Sequence, residues 1–188
     1  MDFSENPKQA LVDHLRTHAL RTDGPFTLRS GAVSDWYLDA RQTTFDGAGA
    51  RLVGRAVLEH VPAGVGAVGG MTMGADPIAV ATAIAAAESG RDLSSFSIRK
   101  EAKDHGVGGR LVGPVVAGDR VVAIEDTTTT GSALVEAIEV LLAADVDVVR
   151  AVALVDRSGG AAAERLRGLG IEYIAVVAPS DLGVEDDA

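Results

Sequence analysis

From residue 65 onward, short apolar runs alternate with segments of helical periodicity, and this alternation limits the possible folds more than any other feature. The apolar runs predict strands at 65–68, 96–98, 120–124, 148–155 and 171–177. Helices are predicted between them at 76–89, 132–144 and 161–169, with a glycine-rich loop over 100–113. Strands without a polar face are typical of a parallel sheet covered by helices on both sides. We therefore expect an α/β fold with a central parallel sheet flanked by helices.

The segment before this alternation has a different character. A helix is predicted over 5–21, because apolar residues recur there at helical spacing. Two short strands, 26–28 and 36–38, are predicted to form a hairpin around Arg29-Ser30-Gly31. A further helix over 46–60 leads into the alternating part.

The composition sets the limits on domain number and on the class of partner. The 188 residues are enough for one domain, in which we expect a small N-terminal hood (1–45) beside an α/β core (46–180). The chain has no cysteine, which excludes disulfides and thiolate metal sites. No apolar run is long enough to span a membrane and no signal-peptide pattern is present, so we expect a cytoplasmic protein. A net charge of −10 disfavours nucleic acid as a partner.

The charge pattern also suggests an environment. Acidic residues outnumber basic ones by 27 to 17, and only three of the basic residues are lysines. Scattered acids, scarce lysine and small apolar side chains are typical of adaptation to high salt, where screening weakens the repulsion between like charges. An ordinary acidic protein from a GC-rich genome is the alternative. We expect a halophilic archaeon as the source.

The segment from Arg99 to Gly106 concentrates positive charge in this acidic chain. It reads Arg-Lys-Glu-Ala-Lys-Asp-His-Gly and holds two of the three lysines. Positive charge gathered at one place and followed by glycines indicates a mobile loop that meets a strongly anionic ligand. The alternative is a solvated, charged turn without a ligand.

A second segment, residues 121–132, combines a strand, two acids and a run of hydroxyls. The apolar strand ends at Glu125 and Asp126, and four threonines, Gly131 and Ser132 precede the next predicted helix. Backbone N–H groups at a helix start, together with hydroxyls, form a cradle for a phosphate monoester. The acids suit the hydroxyls of a sugar, so a ribose 5-phosphate fits both halves. The alternative is a helix-capping run beside two solvated acids.

Segment 121–132 resembles the phosphoribosyl-pyrophosphate signature of the type I phosphoribosyltransferases. Residues 98–106 resemble the mobile catalytic loop of the orotate-specific branch of that family, and residues 26–37 are similar to its N-terminal substrate segment. Residues 69–79 fall where the family has its pyrophosphate loop, and Asp156-Arg157 end the next strand, as in the family. The resemblance implies the type I phosphoribosyltransferase fold.

The resemblance also assigns roles to individual residues. It implies that Glu125 and Asp126 bind the ribose hydroxyls. The residues implied to wrap the 5-phosphate are Thr127, Thr128, Thr129, Thr130, Gly131, Ser132 and Ala133. Those implied to hold the pyrophosphate are Arg99, Lys100, Lys103 and His105, of which Lys103 and His105 are the expected catalytic residues. Those implied to contact orotate are Thr129, Arg157, Arg29 and Tyr37, while Leu38 departs from the aromatic residue that the family places nearby.

The implied reaction transfers ribose 5-phosphate from phosphoribosyl pyrophosphate to orotate, in pyrimidine biosynthesis. Mg²⁺ is the implied cofactor, held mainly by substrate and water rather than by protein ligands. The resemblance further implies a homodimer with shared active sites. Two alternatives stay open: a purine phosphoribosyltransferase, and a regulator that binds nucleotides on the same fold without turnover.

Overall fold

The computed structural model describes residues 7–27, 33–103 and 109–185, with only the backbone at 102 and 103. The helices in these ranges are α1 (Pro7–His18), α2 (Arg41–Thr44), α3 (Gly47–Leu58), α4 (Ala75–Glu88), α5 (Ser132–Leu142), α6 (Ala161–Gly168) and α7 (Pro179–Leu182). The strands are β1 (Leu20–Arg21), β2 (Phe26–Thr27), β3 (Val33–Ser34), β4 (Tyr37–Leu38), β5 (Ala67–Met71), β6 (Ser94–Lys103), β7 (Gly109–Val112), β8 (Arg120–Thr128), β9 (Asp147–Asp156) and β10 (Tyr173–Val177).

A six-stranded sheet forms the centre of the molecule. Its order is β10–β9–β8–β5–β6–β7, and every neighbouring pair is parallel except β6 and β7, which are antiparallel. The α/β class is therefore confirmed. Helices α1, α3 and α4 cover one face of the sheet, and α5 and α6 cover the other.

The helices form where the sequence supplies an apolar stripe and an end signal. Helix α3 begins after Asp46, whose carboxylate accepts a hydrogen bond of 2.8 Å from the N–H of Gly49. Its buried residues include Val53 and Val57, four positions apart and so on one side of the helix. Burying a valine side chain stabilises the fold by roughly 1.5–3 kcal/mol, so tertiary packing rather than intrinsic propensity holds this helix in place.

The predicted hairpin in the hood has the wrong strand pairing. Strand 26–28 was expected to pair with 36–38, whereas β2 pairs with β3, and β4 pairs with β1. The cause is burial: Leu38 is 6 % exposed and packs in the main core beside Leu20, so its strand is drawn to β1.

The glycine-rich loop expected over 100–113 is also partly wrong. Strand β6 runs on to Lys103, and β7 returns antiparallel to it, with Lys103 opposite Gly109. The sequence pattern does not predict this two-stranded β6–β7 ribbon. Strand β7 is an edge strand with no fully buried residue, so it can form without an apolar run. The register shifts between Ile98 and Lys103, where the pairing is irregular.

The order of the strands fixes where a ligand can enter. The chain leaves β5 towards β6 on one side and later returns to β8 on the other side of β5. Such a reversal leaves a crevice between helix connections at the carboxyl ends of the two strands. Here the crevice opens between the end of β5 and the end of β8.

Candidate active site

A cavity of about 310 Å³ occupies this crevice. It is lined by Met71, Thr72, Gly74, Ala75, Lys100, Ile124, Glu125, Asp126, Ala133 and Glu136. Three separate parts of the sequence therefore meet at one place: the turn after β5, the lysine-bearing end of β6, and the acid pair of β8 with the start of α5. The structure brings Lys100 and the two acids together although 25 residues separate them in sequence.

Glu125 and Asp126 have higher pKa values than carboxyl groups in water, because both are largely buried. The Oε2 atom of Glu125 is buried and accepts no hydrogen bond within the described part of the chain. Burial raises the pKa of Glu125 to about 7, a hydrogen bond from Thr128 opposes the rise, and the charges of Asp126 and Asp156 add to it. Burial also raises the pKa of Asp126, although the N–H of Thr127 donates to its Oδ1 atom at 2.9 Å. An acid with a pKa near 7 changes its protonation with small changes in its surroundings.

In wild type, the free energy of unfolding is expected to fall as the pH rises towards about 7. Replacing Glu125 by glutamine is expected to remove this fall. In the unfolded chain this carboxyl loses its proton near its ordinary pKa, whereas the folded chain keeps the proton until about pH 7. Between these values the unfolded state binds fewer protons, so the free energy of unfolding falls as pH rises, by at most about 1.4 kcal/mol per pH unit. Urea titrations at about pH 5, 6 and 7 measure this.

The matched control is Glu139→Gln, which changes an exposed carboxylate of α5. We expect wild type and the Glu139 variant to lose stability in parallel across this range, and the Glu125 variant to lose less. Three parallel pH profiles would contradict the buried, protonated state of Glu125.

The turn after β5 presses against the acid pair. A Cβ atom at Gly74 would lie 2.5 Å from the Oδ1 atom of Asp126, so no larger residue fits without moving that carboxylate. Thr72 fixes the turn from both ends, because its hydroxyl donates to Asp76 at 2.7 Å and its N–H donates to the carbonyl of Ile98 at 2.8 Å. The turn and the acids thus form one rigid wall of the cavity.

The hydroxyl run after β8 folds into a tight loop, here called the cradle (residues 128–133). Gly131 has a φ of 75°, and its N–H donates to the hydroxyl of Thr128 at 2.9 Å. Thr128 is buried and supports the loop from below, while Thr129, Thr130 and Ser132 are exposed. The hydroxyls of Thr130 and Ser132 lie 2.9 Å apart, at the start of α5. A helix N-terminus lined by hydroxyls favours an anion at this point.

Positive charge reaches the cavity from the β6–β7 ribbon. Lys100 lines the cavity and is exposed, and Arg99 beside it is half-buried. Arg110 of β7 donates to the carbonyl oxygen of Arg99 at 2.7 Å and forms an ion pair with Glu136 of α5. This pair ties the ribbon to the helix that follows the cradle.

Arg157 lies at the other side of the cradle. Its backbone N–H donates to the carbonyl of Thr128 at 2.8 Å. The residue is 8 % exposed, its guanidinium lies 3.8 Å above the ring of Trp36, and Nη2 is 3.5 Å from the hydroxyl of Ser34. Trp36 and Ser34 belong to the segment that precedes α2, so Arg157 contacts this N-terminal segment from the end of β9. Tyr37 is partly exposed, with its ring 5.9 Å from that of Phe26.

Three expected site residues lie wholly or partly beyond the described structure. Arg29 falls in 28–32 and His105 in 104–108, both outside the described residues. Lys103 is described by its backbone alone, as the last residue of β6.

Sequence reasoning gave three residues of this site no individual role. Thr72 lies in segment 69–79, which the resemblance matched to the pyrophosphate loop, and it follows a strand that neighbours β8, so its place at the shared edge of the sheet was predictable. Glu136 and Arg110 carried no usable signal, because each looks like a solvated charge on an ordinary helix or loop. Their pairing depends on a contact across 26 residues.

Comparisons with known proteins agree with this fold. Residues 65–186 match the phosphoribosyl transferase domain family. The chain is 40% identical to a protein of Streptomyces avermitilis named orotate phosphoribosyltransferase, over 96% of this chain and 100% of that one. It is similar to the crystal structure of Mycobacterium tuberculosis orotate phosphoribosyltransferase with Fe(III) dicitrate, with a TM-score of 0.85, 35% identity and coverage of 95% and 100%. A complex of that enzyme with 5-phospho-alpha-D-ribosyl 1-diphosphate gives a TM-score of 0.80 at 31% identity, with coverage of 95% and 100%.

These relatives are bacterial, and they give no support to the archaeal source that the composition suggested. Adaptation to high salt stays a prediction from composition. None of the helices in the described ranges is long and apolar enough to cross a membrane.

Proposed function

This chain belongs to the phosphoribosyl transferase family, and on that premise we propose that it transfers the ribose 5-phosphate group of phosphoribosyl pyrophosphate to orotate. A bond forms between a ring nitrogen of orotate and the anomeric carbon of the ribose, while the bond from that carbon to pyrophosphate breaks. The products are orotidine 5-monophosphate and pyrophosphate, in the biosynthesis of pyrimidines. The relatives' names favour orotate over a purine base.

The observation that carries this proposal is the cavity that Lys100 and the acid pair line together, beside the start of α5. Phosphoribosyl pyrophosphate has anionic groups at both ends and hydroxyls in between. The cradle accommodates the 5-phosphate through N–H groups and hydroxyls, and Glu125 and Asp126 accept hydrogen bonds from the ribose hydroxyls. The cations of the β6–β7 ribbon then lie on the side where pyrophosphate departs.

Catalysis on this arrangement is mainly electrostatic. As the bond to pyrophosphate breaks, the sugar becomes cation-like and negative charge grows on the leaving group. Positive groups held ready for that charge stabilise the transition state more than the ground state. We assign this role to Lys103, with His105, Arg99 and Lys100 around the pyrophosphate. Water competes with orotate for the cation-like sugar, so exclusion of water from the cavity during turnover favours transfer to the base.

Magnesium fits this site as a partner of the substrate. The described residues contain no cluster of three or more His, Asp or Glu side chains that could hold a metal ion by themselves. The cavity does contain two carboxylates, and Oε2 of Glu125 is buried without a hydrogen-bond partner among the described residues. Mg²⁺ keeps several waters and binds through one or two carboxylates plus phosphate oxygens. When bound, it would neutralise part of the pyrophosphate charge.

The base is proposed to bind on the hood side of the cradle. Orotate carries a planar carboxylate, and the guanidinium of Arg157 offers a planar pair of donors already oriented by Trp36. We propose that Thr129 on the exposed side of the cradle and Tyr37 also contact the base, as does Arg29, which lies outside the described residues.

A direct assay tests the proposal. The purified chain is incubated with orotate, phosphoribosyl pyrophosphate and Mg²⁺, and the loss of orotate absorbance is followed. We expect orotate-dependent release of pyrophosphate, and no turnover when adenine, guanine or hypoxanthine replaces orotate. Turnover with a purine alone would assign the chain to the purine branch, and binding of phosphoribosyl pyrophosphate without turnover of any base would identify a regulator.

We further propose a cytoplasmic homodimer in which the catalytic cations of one chain reach the partner's site. The support is an exposed apolar surface that includes Val80 and Ile84, one turn apart on α4 and 51 % and 56 % exposed. Met73 and Phe45, which line one cavity together, are also exposed, by 57 % and 59 %. Large apolar side chains exposed on successive turns of one helix favour a protein–protein contact.

Replacing Ile84 by aspartate is expected to convert the dimer to a monomer and to lower activity strongly. A charge buried in an apolar interface is costly, and a shared site is incomplete in a monomer. Light scattering after size exclusion measures the mass. The control is Leu142→Asp. Leu142 is exposed to a similar degree as Ile84, by 53 %, but it is the last residue of α5 rather than part of α4. An unchanged mass for the Ile84 variant would contradict this interface.

A further inference from the structure

Helix α6 lies directly against the cradle. A Cβ atom at Gly131 would lie 3.0 Å from Cα of Ala162, so the cradle and the first turn of α6 are in close contact. Ser158 fixes the start of that helix, because its hydroxyl accepts a hydrogen bond of 3.0 Å from the N–H of Ala162. Leu166 is fully buried and anchors the other end. Helix α6 is therefore held beside the cradle.

One side chain of α6 contacts the cradle. Nη1 of Arg165 donates to the hydroxyl of Ser132 at 2.7 Å, and that hydroxyl lies 2.9 Å from the hydroxyl of Thr130. A guanidinium has five N–H donors in a fixed plane. The contact with Ser132 leaves donors of Arg165 for another acceptor at the rim of the cradle.

The charge of Arg165 also bears on what it can bind. Six arginines of the described residues form ion pairs with carboxylates, among them Arg110 with Glu136 and Arg150 with Glu172. Arg165 has no carboxylate within ion-pair distance among the residues that the structure describes, although acids outnumber bases in the chain. Instead it lies next to the N-terminus of α5, which itself favours negative charge. Two positive features at one rim, without an acid between them, are suited to a dianion.

We infer that Arg165 is an additional binding residue for the 5-phosphate, and that it donates from α6 to a phosphate oxygen held in the cradle. This inference rests on the proposed function, because it takes the cradle as the 5-phosphate site. It adds a charged contact to a subsite that otherwise consists of hydroxyls and backbone N–H groups. The same contact would hold the 5-phosphate of the product nucleotide.

The test compares Arg165→Ala with Arg167→Ala. Arg167 is exposed on the same helix two residues later and provides a matched loss of charge. Removing a hydrogen bond to a charged group at an exposed rim is expected to raise KM for phosphoribosyl pyrophosphate about tenfold, with KM for orotate unchanged. Arg165→Lys should fall between wild type and Arg165→Ala, since lysine keeps the charge but loses the planar fork.

Calorimetric titration separates the 5-phosphate from the pyrophosphate end. Arg165→Ala should weaken the binding of ribose 5-phosphate about tenfold and leave the binding of pyrophosphate unchanged. Equal behaviour of the Arg165 and Arg167 variants, or an equal loss for both probes, would overturn the inference. A wild-type chain that binds ribose 5-phosphate without orotate turnover would contradict the proposed function alone, and the titration would still decide the role of Arg165. Thermal melting shows whether each variant is folded. Arg165→Gln is a second variant that removes the charge but keeps a longer polar side chain than alanine.

Discussion

Replacing Lys103 by alanine is expected to lower kcat by about 10²–10³-fold, with a much smaller rise in KM for phosphoribosyl pyrophosphate. The expectation follows from where lysine occurs in this chain: two of three lysines stand at the end of β6, and Lys100 of this pair lines the cavity. A charge that meets the leaving pyrophosphate contributes chiefly when that negative charge has developed, so its loss affects kcat more than substrate binding. Steady-state kinetics with both substrates varied gives the two constants.

Two other lysine variants serve as comparisons for the kcat and KM of the Lys103 variant. Lys8→Ala removes the remaining lysine, which pairs with Asp181 at 2.8 Å between α1 and α7, and should leave both constants near wild type. Lys100→Ala removes a cation from the cavity wall and should raise KM for phosphoribosyl pyrophosphate more than it lowers kcat. A Lys103 variant with kcat near wild type would remove this residue from catalysis, whatever the other two show.

Replacing Arg157 by alanine is expected to lower kcat/KM for orotate by roughly 10²-fold and to leave KM for phosphoribosyl pyrophosphate nearly unchanged. Arg157 is buried and stacked on Trp36, so a substrate carboxylate bound to it is shielded from water. In the variant that carboxylate would be shielded from water without a positive partner. Arg157→Lys should recover only part of the loss, because an ammonium neither stacks on the indole nor pairs in a plane with a carboxylate. Kinetics at saturating phosphoribosyl pyrophosphate isolates the orotate constants.

The control for Arg157 comes from the strand that precedes it. Arg150 lies in the first half of β9 and pairs with Glu172 at 2.6 Å. Arg150→Ala should leave the orotate constants unchanged. Thermal melting of the Arg157 variant shows whether loss of the contact with the hood lowers stability. A folded Arg157 variant with wild-type kcat/KM for orotate would contradict the proposed orotate site.

The central sheet was predictable because its signal is local. Strands β8 and β9 contain runs of valine, isoleucine and alanine whose side chains are buried on both faces, and such runs stand out in any sequence. The extension of β6 to Lys103 and its pairing with β7 were not predictable, since β7 is half exposed and pairs only with β6. In the hood, the pairing of β4 with β1 depends on burial of Leu38 in the distant core, which periodicity does not report.

The site was predictable in its chemistry and less so in its contacts. Glu125, Asp126 and the cradle follow one another in the chain, so their residue types could be interpreted together. The raised pKa of Glu125 could not be predicted, because it depends on burial by neighbouring strands and on Asp156 of β9. The pairs Arg110–Glu136 and Arg165–Ser132 join side chains 26 and 33 residues apart, and each arises from packing of whole elements.

Strand β7 is bonded to a single neighbour, at the outer border of the sheet. A substitution in β7 can therefore affect its pairing with β6 and leave the register of the other strand pairs intact. The strand that supports Arg99 through Arg110 can thus vary independently of the strands that hold Glu125 and Asp126. Val112 of β7 is 38 % exposed, and it offers a point at which a reporter group can be attached without entering the core.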